Sequence, residues 1–241
     1  MTGHHATLQP RGGLPLQLTI RQLTTTLLAQ PLALPLLRFF FRLKIEPPQQ
    51  GWPETALVCA NHASFFDPIV VGACYPRPLS YFARASLWKL PIVRQALDVL
   101  GGLPVDRSAP QLDIMRRTVA WLTEGRNILI FPEGTRTKTG TLGQLQTGPA
   151  MFARRAKVAI MPVYLHRTAQ AWPRGWPLPA LGAAKLTIVF GEALVCPDHI
   201  RGKAQDRWLT EHLSNWMQQQ EQRLNQPRRS QSSRRPEVQH G

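Results

Sequence analysis

The apolar positions of the chain fall into two kinds of run, and their alternation predicts the architecture. Short and nearly uninterrupted apolar stretches occur at "TALVCA" (55–60), "NILIF" (127–131), "KVAIMPVYL" (157–165) and "KLTIVFGEAL" (185–194). Runs of this kind suit strands covered on both faces. "GGLPVD" (101–106) reads as a turn into one more short strand. Between them the apolar residues recur at helical spacing: in 87–100, in 109–125 with Pro110 near the start and Gly125 just past the end, from Pro149 to Ala156, and from Asp206 to about Leu224. Asp67 to Ala73 reads as the start of another helix. The alternation predicts an α/β fold, a central mostly parallel sheet flanked by helices.

Residues 14–43, "LPLQLTIRQLTTTLLAQPLALPLLRFFFRL", break this pattern. They are rich in Leu and Phe, yet the uncharged run between Arg21 and Arg38 is about sixteen residues, short of the roughly twenty that span a bilayer. The first residues lack a basic n-region and no small-x-small cleavage site follows. The expectation is an N-terminal amphipathic helical membrane anchor. Two helices broken near Pro31 and Pro35 would lie in one leaflet, with Arg21, Arg38, Arg42 and Lys44 at the headgroups. The alternative is an ordinary helix packed on the core. The domain reading is a flexible N-terminus (1–13), the anchoring segment (14–45), an α/β domain (46–225) and a basic disordered tail (226–241). The loop 167–183 carries Trp172 and Trp176 beside Arg174, which suits either a membrane-facing loop or plain loop packing.

Charge narrows the partners. Lys and Arg number 29 against 14 Asp and Glu, a formal charge of +15, which favours nucleic acid, phospholipid headgroups or a phosphorylated substrate without choosing among them. Three widely separated cysteines give neither a disulfide framework nor metal-ligand spacing and fit a reducing, cytosol-facing location.

Three stretches carry candidate chemistry. In "ANHASFFDPIV" (60–70), His62 and Asp67 stand five apart at the end of a buried strand, where open α/β sheets place their ligand sites. On a continuous helix the two side chains would diverge, so they meet only across a turn or a helix start. Asp67 before Pro68, three positions after Ser64, also reads as a helix cap, and from this stretch alone both readings stand. In "NILIFPEGTRT" (127–137), a buried strand runs into a turn where Gly134 permits a tight bend exposing amide donors, and Arg136 offers a planar cation for phosphate. Glu133 in such a loop needs an occupation, such as holding an arginine or a substrate hydroxyl. In "GGLPVDRS" (101–108), Arg107 follows another short strand.

Together these blocks resemble the glycerolipid acyltransferases, the PlsC-like family that includes 1-acylglycerol-3-phosphate acyltransferase. "NHASFFDP" resembles the NHxxxxD block and "FPEGTRT" the FPEGTRS-type block. "GGLPVDRS" resembles an intermediate block ending in a phosphate-binding arginine, and "VAIMPVYL", with Pro162, the final apolar block. The four stand in family order over roughly residues 57–165. The resemblance implies transfer of a fatty acyl group from acyl-CoA or acyl-carrier protein to a glycerolipid hydroxyl, without metal, cofactor or covalent intermediate. It implies that His62 is the general base and Asp67 its partner. Asn61, Arg107, Glu133, Gly134, Thr135 and Arg136 would bind the glycerol-phosphate end of a lysophospholipid acceptor, on the cytoplasmic face of a phospholipid membrane and with no nucleic acid. The chain departs from the pattern at Gln146, where many relatives carry a Lys or Arg, and at Leu103 and Pro104 in the middle block. The first reading is synthesis of phosphatidate at the sn-2 hydroxyl. Its rivals are another acceptor (glycerol-3-phosphate, another lysophospholipid or a lyso-ornithine lipid), a hydrolase using His62 to activate water, and a non-catalytic basic membrane- or RNA-binding protein.

Overall fold

The computed structural model describes residues 30–91, 94–95, 97, 102–105, 111–137 and 139–226. Arg107, the first part of the expected anchor and nearly all of the basic tail lie outside the described residues. Seven strands form one sheet: β1 (Lys44–Glu46), β2 (Ala56–Ala60), β3 (Leu79–Arg84), β4 (Gly102–Val105), β5 (Asn127–Ile130), β6 (Ala159–His166) and β7 (Thr187–Phe190). Their order is β1-β7-β6-β2-β5-β3-β4. Every neighbouring pair is parallel except β6 with β7, which is antiparallel. The expected mostly parallel α/β sheet is therefore present.

Among the described residues the helices are α1 (residues 30–41), α2 (Asp67–Cys74), α3 (Gln111–Thr123), α4 (Gly148–Ala156), α5 (Thr168–Ala171) and α6 (Lys203–Asn225), with a 3-10 turn over Ala85–Lys89, and residues 91, 94–95 and 97 are also helical. Because side chains alternate across a strand, β2 sends Val58 and Ala60 to one face and Leu57 and Cys59 to the other, all fully buried. Leu37 and Phe41 of α1 and Val70 and Val71 of α2 cover the first face. Leu122 of α3, Ala150 and Ala153 of α4 and Leu209, Leu213 and Met217 of α6 cover the second. Two-sided burial is why the strands read as continuous apolar runs.

Two strands escaped the pattern. β1 is three residues long, and β3, "LSYFAR", mixes polar with aromatic residues directly after a Pro-Arg-Pro turn, so neither shows an apolar run. Lys44 to Glu46 pair in parallel with Thr187 to Val189, so the boundary drawn at residue 46 cuts through a strand of the sheet. The described part of the anchor also differs from expectation. Pro31 and Pro35 do not break it, and α1 runs continuously over 30–41. Pro35 removes one internal hydrogen bond. The burial of Leu37 and Phe41 holds the helix against the sheet despite that loss.

Outward, α1 presents Leu32, Leu36 and Phe39, which are 68%, 48% and 79% exposed and fall at i, i+4 and i+7 on one stripe. The helix thus carries an inner apolar stripe and an outer one.

Candidate active site

β2 lies between β6 and β5, with Cys59 opposite Ile130 and Ala60 opposite Val163. All three strands deliver their carboxyl ends to one edge, so the turns that follow them meet there. At the end of β2, Asn61 is buried and its amide makes two bonds to the backbone of Leu165, accepting from the N–H at 2.7 Å and donating to the C=O at 3.0 Å. It extends the β2–β6 pairing by side chain. The structure therefore gives Asn61 an occupation other than the substrate contact expected of it, because a buried amide takes backbone partners of its own.

The next five residues turn back on themselves. Asp67 Oδ2 accepts from Ala63 N–H at 2.7 Å and Ser64 N–H at 2.8 Å, and lies 2.8 Å from His62 Nδ1. This resolves the two readings of Asp67. The N-cap of α2 is Phe66, and no side chain caps it. The Asp67 carboxylate points back along the chain to the turn that carries His62. The Asp67 side chain is completely buried, whereas that of His62 is 19% exposed. With Nδ1–H held by the carboxylate, Nε2 is left as the proton-accepting nitrogen. The ring stacks on Phe131, centroids 3.9 Å apart and planes 15° from parallel, which sets its orientation from the second side. Phe131 follows β5 directly and was read only as the end of a strand.

Glu133 ties the second loop to the first. Its Oε1 accepts from His62 N–H at 2.7 Å and its Oε2 from Gly143 N–H at 2.9 Å, and Thr137 N–H donates to His62 C=O at 2.9 Å. Burial raises the Glu133 pKa above the usual carboxylate value, against the smaller lowering effect of these amides. The occupation that Glu133 was expected to need is thus a clamp on the backbone of His62. A Cβ on Gly143 would stand 2.9 Å from Oε2, so glycine is what admits the carboxylate.

Gly134 takes φ +72° and its N–H closes the turn on Phe131 C=O at 3.0 Å. That amide is therefore spent within the turn. Thr135 is exposed beside it. Arg136 lies flat over Phe65, its guanidinium carbon 3.5 Å from the ring centroid. β4 runs parallel to β3 and ends on the same edge, three strands and roughly 14 Å from β2. Arg107, two residues beyond it, lies outside the described residues. Among the described residues no cluster of three or more His, Cys, Asp or Glu is gathered as a metal site.

The family model for acyltransferases matches residues 44–166, from β1 to the end of β6. The chain belongs to the acyltransferase family. The matched span is just over half of the chain and contains the His62 and Glu133 turns described above. It is 30% identical over 142 residues to the chloroplastic 1-acyl-sn-glycerol-3-phosphate acyltransferase LPAT1 of Arabidopsis thaliana, covering 56% of this chain and 39% of the relative. It is 28% identical over 145 residues to the 1-acyl-sn-glycerol-3-phosphate acyltransferase of Pseudomonas aeruginosa, covering 58% of this chain and 54% of the relative. The chain thus spans about half or less of the length of these curated relatives. In fold it is similar to the crystal structure of the 1-acyl-sn-glycerophosphate acyltransferase PlsC from Thermotoga maritima. The TM-score is 0.61 at 18% identity, over 83% of this chain and 87% of that chain.

Above the site sits the loop after β6. Ser64 Oγ donates to Trp172 C=O at 2.8 Å and Trp172 packs edge-on to Phe66, centroids 5.9 Å apart. The loop then exposes Trp176, Leu178 and Leu181 at 59%, 70% and 62%. Gly182 N–H donates to Phe40 C=O at 3.1 Å, which brings the loop against the end of α1. Its exposed residues and the outer stripe of α1 therefore belong to adjoining elements beside the His62 turn. No helix among the described residues is long and apolar enough to cross a membrane.

Proposed function

We propose that this chain transfers a fatty acyl group from acyl-CoA or acyl-carrier protein to the sn-2 hydroxyl of 1-acylglycerol-3-phosphate, forming phosphatidate, while docked on the cytoplasmic face of a phospholipid membrane. The observation that carries the reading is the His62–Asp67 pair, buried on its carboxylate side and open on its imidazole side, within a span that matches the family model. The names of the relatives support the acceptor.

In this reading His62 Nε2 removes the acceptor's hydroxyl proton as the oxygen attacks the thioester carbonyl. Asp67 stabilises the imidazolium and stays ionised. When the tetrahedral intermediate collapses, the carbon–sulfur bond breaks and His62 returns its proton to the departing thiolate, so the enzyme ends as it began. Phe131, Glu133 and the Ala63 and Ser64 amides hold the pair before substrate arrives, so the attack needs little reorganisation of the base. Arg136 and Arg107 bind the acceptor phosphate and fix its hydroxyl toward His62. The apolar residues of α1 and of the loop 172–182 bury in the leaflet, and the excess positive charge favours an anionic surface.

The test is transfer of a labelled acyl group from acyl-CoA and from acyl-carrier protein, in lipid nanodiscs, to a panel of acceptors with wild type and His62→Ala. Phosphatidate from wild type, and a loss of about 10²- to 10⁴-fold in a variant with an unchanged circular dichroism spectrum, is the expected result. Another acceptor would keep the chemistry and change the substrate. Free fatty acid without acceptor would make the protein a hydrolase, and no His62-dependent product at all would refute the proposal.

A further inference from the structure

The geometry points to Arg174 as a second phosphate-binding residue of the acceptor site, paired with Arg136 beside the His62 turn. It rests on the acyl-transfer reading for the acceptor's identity, while the ligand chemistry, a phosphate monoester, follows from the two cations. Arg174 lies in a tight turn. Trp176 N–H donates to Pro173 C=O at 3.2 Å, Gly175 takes φ +88°, and Trp172 Nε1 donates to Trp176 C=O at 2.9 Å. That φ at the third residue of the turn needs glycine and leaves Arg174 at the second position, on the tip.

The turn does not float. Trp172, at its base, accepts the Ser64 hydroxyl, and Ser64 N–H in turn donates to the Asp67 carboxylate. The loop that carries Arg174 is therefore anchored on the turn that orients the base. Arg136 is held in place by its stack on Phe65, the residue after Ser64. Both cations are referenced to the same five residues.

The two guanidiniums also share one field. Burial lowers the Arg136 pKa, and the charge of Arg174 lowers it further. Asp67 acts in the opposite sense, as the smallest of the three effects, and its ion-pair partner is His62. Among the described residues neither arginine forms an ion pair. Gln146, exposed beyond the Glu133 turn, brings no charge. Two cations without ion-pair partners among the described residues, held together, favour a ligand of higher negative charge, and a phosphate monoester carries about −1.5 to −2 near neutrality where a phosphodiester carries one negative charge. Arg174 is thus a specificity residue that separates a lysophosphatidate-like acceptor from phosphodiester lysolipids.

The experiment compares wild type, Arg174→Gln and Arg174→Lys in nanodiscs of pure phosphatidylcholine, measuring KM and kcat for 1-acylglycerol-3-phosphate and KM for acyl-CoA. Calorimetric binding of a soluble short-chain 1-acylglycerol-3-phosphate, without donor, is measured in parallel. Arg174→Gln is expected to raise KM and Kd for the phosphate acceptor about 10- to 100-fold, with a smaller change in kcat and little in the donor KM. Arg174→Lys recovers part of this loss, since it keeps the charge and loses the fork. An unchanged acceptor KM and Kd would overturn the proposal. So would a change confined to acyl-CoA, which would assign Arg174 to the donor's phosphates, or one matched by weaker binding to anionic vesicles alone. If wild type transfers to no phosphate acceptor, the functional reading fails by itself, and calorimetry with the same ligand and with glycerol-3-phosphate still decides whether Arg174 binds a phosphate monoester.

Discussion

The His62 turn and the apolar rim beside it stand on the same edge of the sheet and are built on opposite terms. Most side-chain polar atoms of the turn are committed, Asp67 Oδ1 excepted, which is buried without a hydrogen-bond partner. Asp67 Oδ2 accepts two amides and faces the imidazole, Glu133 grips His62 and Gly143, and Asn61 is bonded twice to Leu165. Along the rim, Leu32, Leu36 and Phe39 of α1 and Trp176, Leu178 and Leu181 of the loop expose large apolar side chains. Saturation suits a base that must hold one geometry through the reaction. Exposure suits a surface that completes its burial only against something else, in the proposed function a lipid leaflet.

The sharpest way to break this contrast is at Asp67. Asp67→Asn keeps the shape, but all three contacts fall on one oxygen. Its NH2 there would face the Ala63 and Ser64 amides with a donor and force the wrong imidazole tautomer, while its oxygen there keeps the contacts without the charge that stabilises the imidazolium. Turnover is expected to fall about 10⁴-fold, with a lowered Tm, measured by steady-state transfer and thermal unfolding. A mild effect would mean that the turn is held by other contacts.

Glu133→Gln comes next. The amide can still accept one backbone N–H but not two, so the clamp opens on one side, at a cost of about 1–3 kcal/mol for the donor left unpaired. The loss is expected mainly in kcat, because the clamp holds the backbone of the base. A loss in acceptor KM alone would instead make Glu133 a substrate contact. Its pH signature has a definite sign. Because burial raises the folded pKa above 4.5, Glu133 binds its proton more tightly in the fold than in the unfolded chain. Its favourable contribution is present below the unfolded value and is lost as pH rises through the raised one. Glu133→Gln should therefore remove a fall in Tm on raising the pH just above 4.5, a difference read directly from paired melting curves.

The smallest effect is expected at the rim. Leu178→Ser with Leu181→Ser should weaken sedimentation with phospholipid vesicles by roughly tenfold or more, from the apolar area withdrawn from the leaflet. Tm and turnover of a soluble short-chain acceptor should change little. If Tm fell as far as vesicle binding, these side chains would be core residues and the contrast would fail.

The part of the fold that was legible in the chain was the part buried on both sides. β2, β5, β6 and β7 announced themselves as apolar runs because both faces of each are covered. β3 did not, since its polar and aromatic residues form no continuous apolar run, and β1 is too short to show a period. The site divides in the same way. His62 and Asp67 were found as a pair five apart, and only their capping alternative had to be removed by the position of Phe66 as the N-cap. Phe131, Gly143 and Trp172 were not found as members of the site. Phe131 looked like strand core, Gly143 like a loop glycine, and Trp172 like part of a loop whose partner was unknown.

What the sequence alone determined is therefore local: which segments alternate as strands and helices, which turns carry the base, the acid and the arginines, and that the molecule is strongly basic. Spacing along the chain carries these because burial periodicity and turn chemistry act over a few residues. What only the tertiary structure decided is which turns meet. Glu133 lies 71 residues from His62, and Trp172 lies 108 from Ser64. Their bonds exist because the order β6-β2-β5 sets three carboxyl ends side by side. Strand order results from packing the whole sheet against its helices, a property of all the runs together that the period of any one of them does not contain.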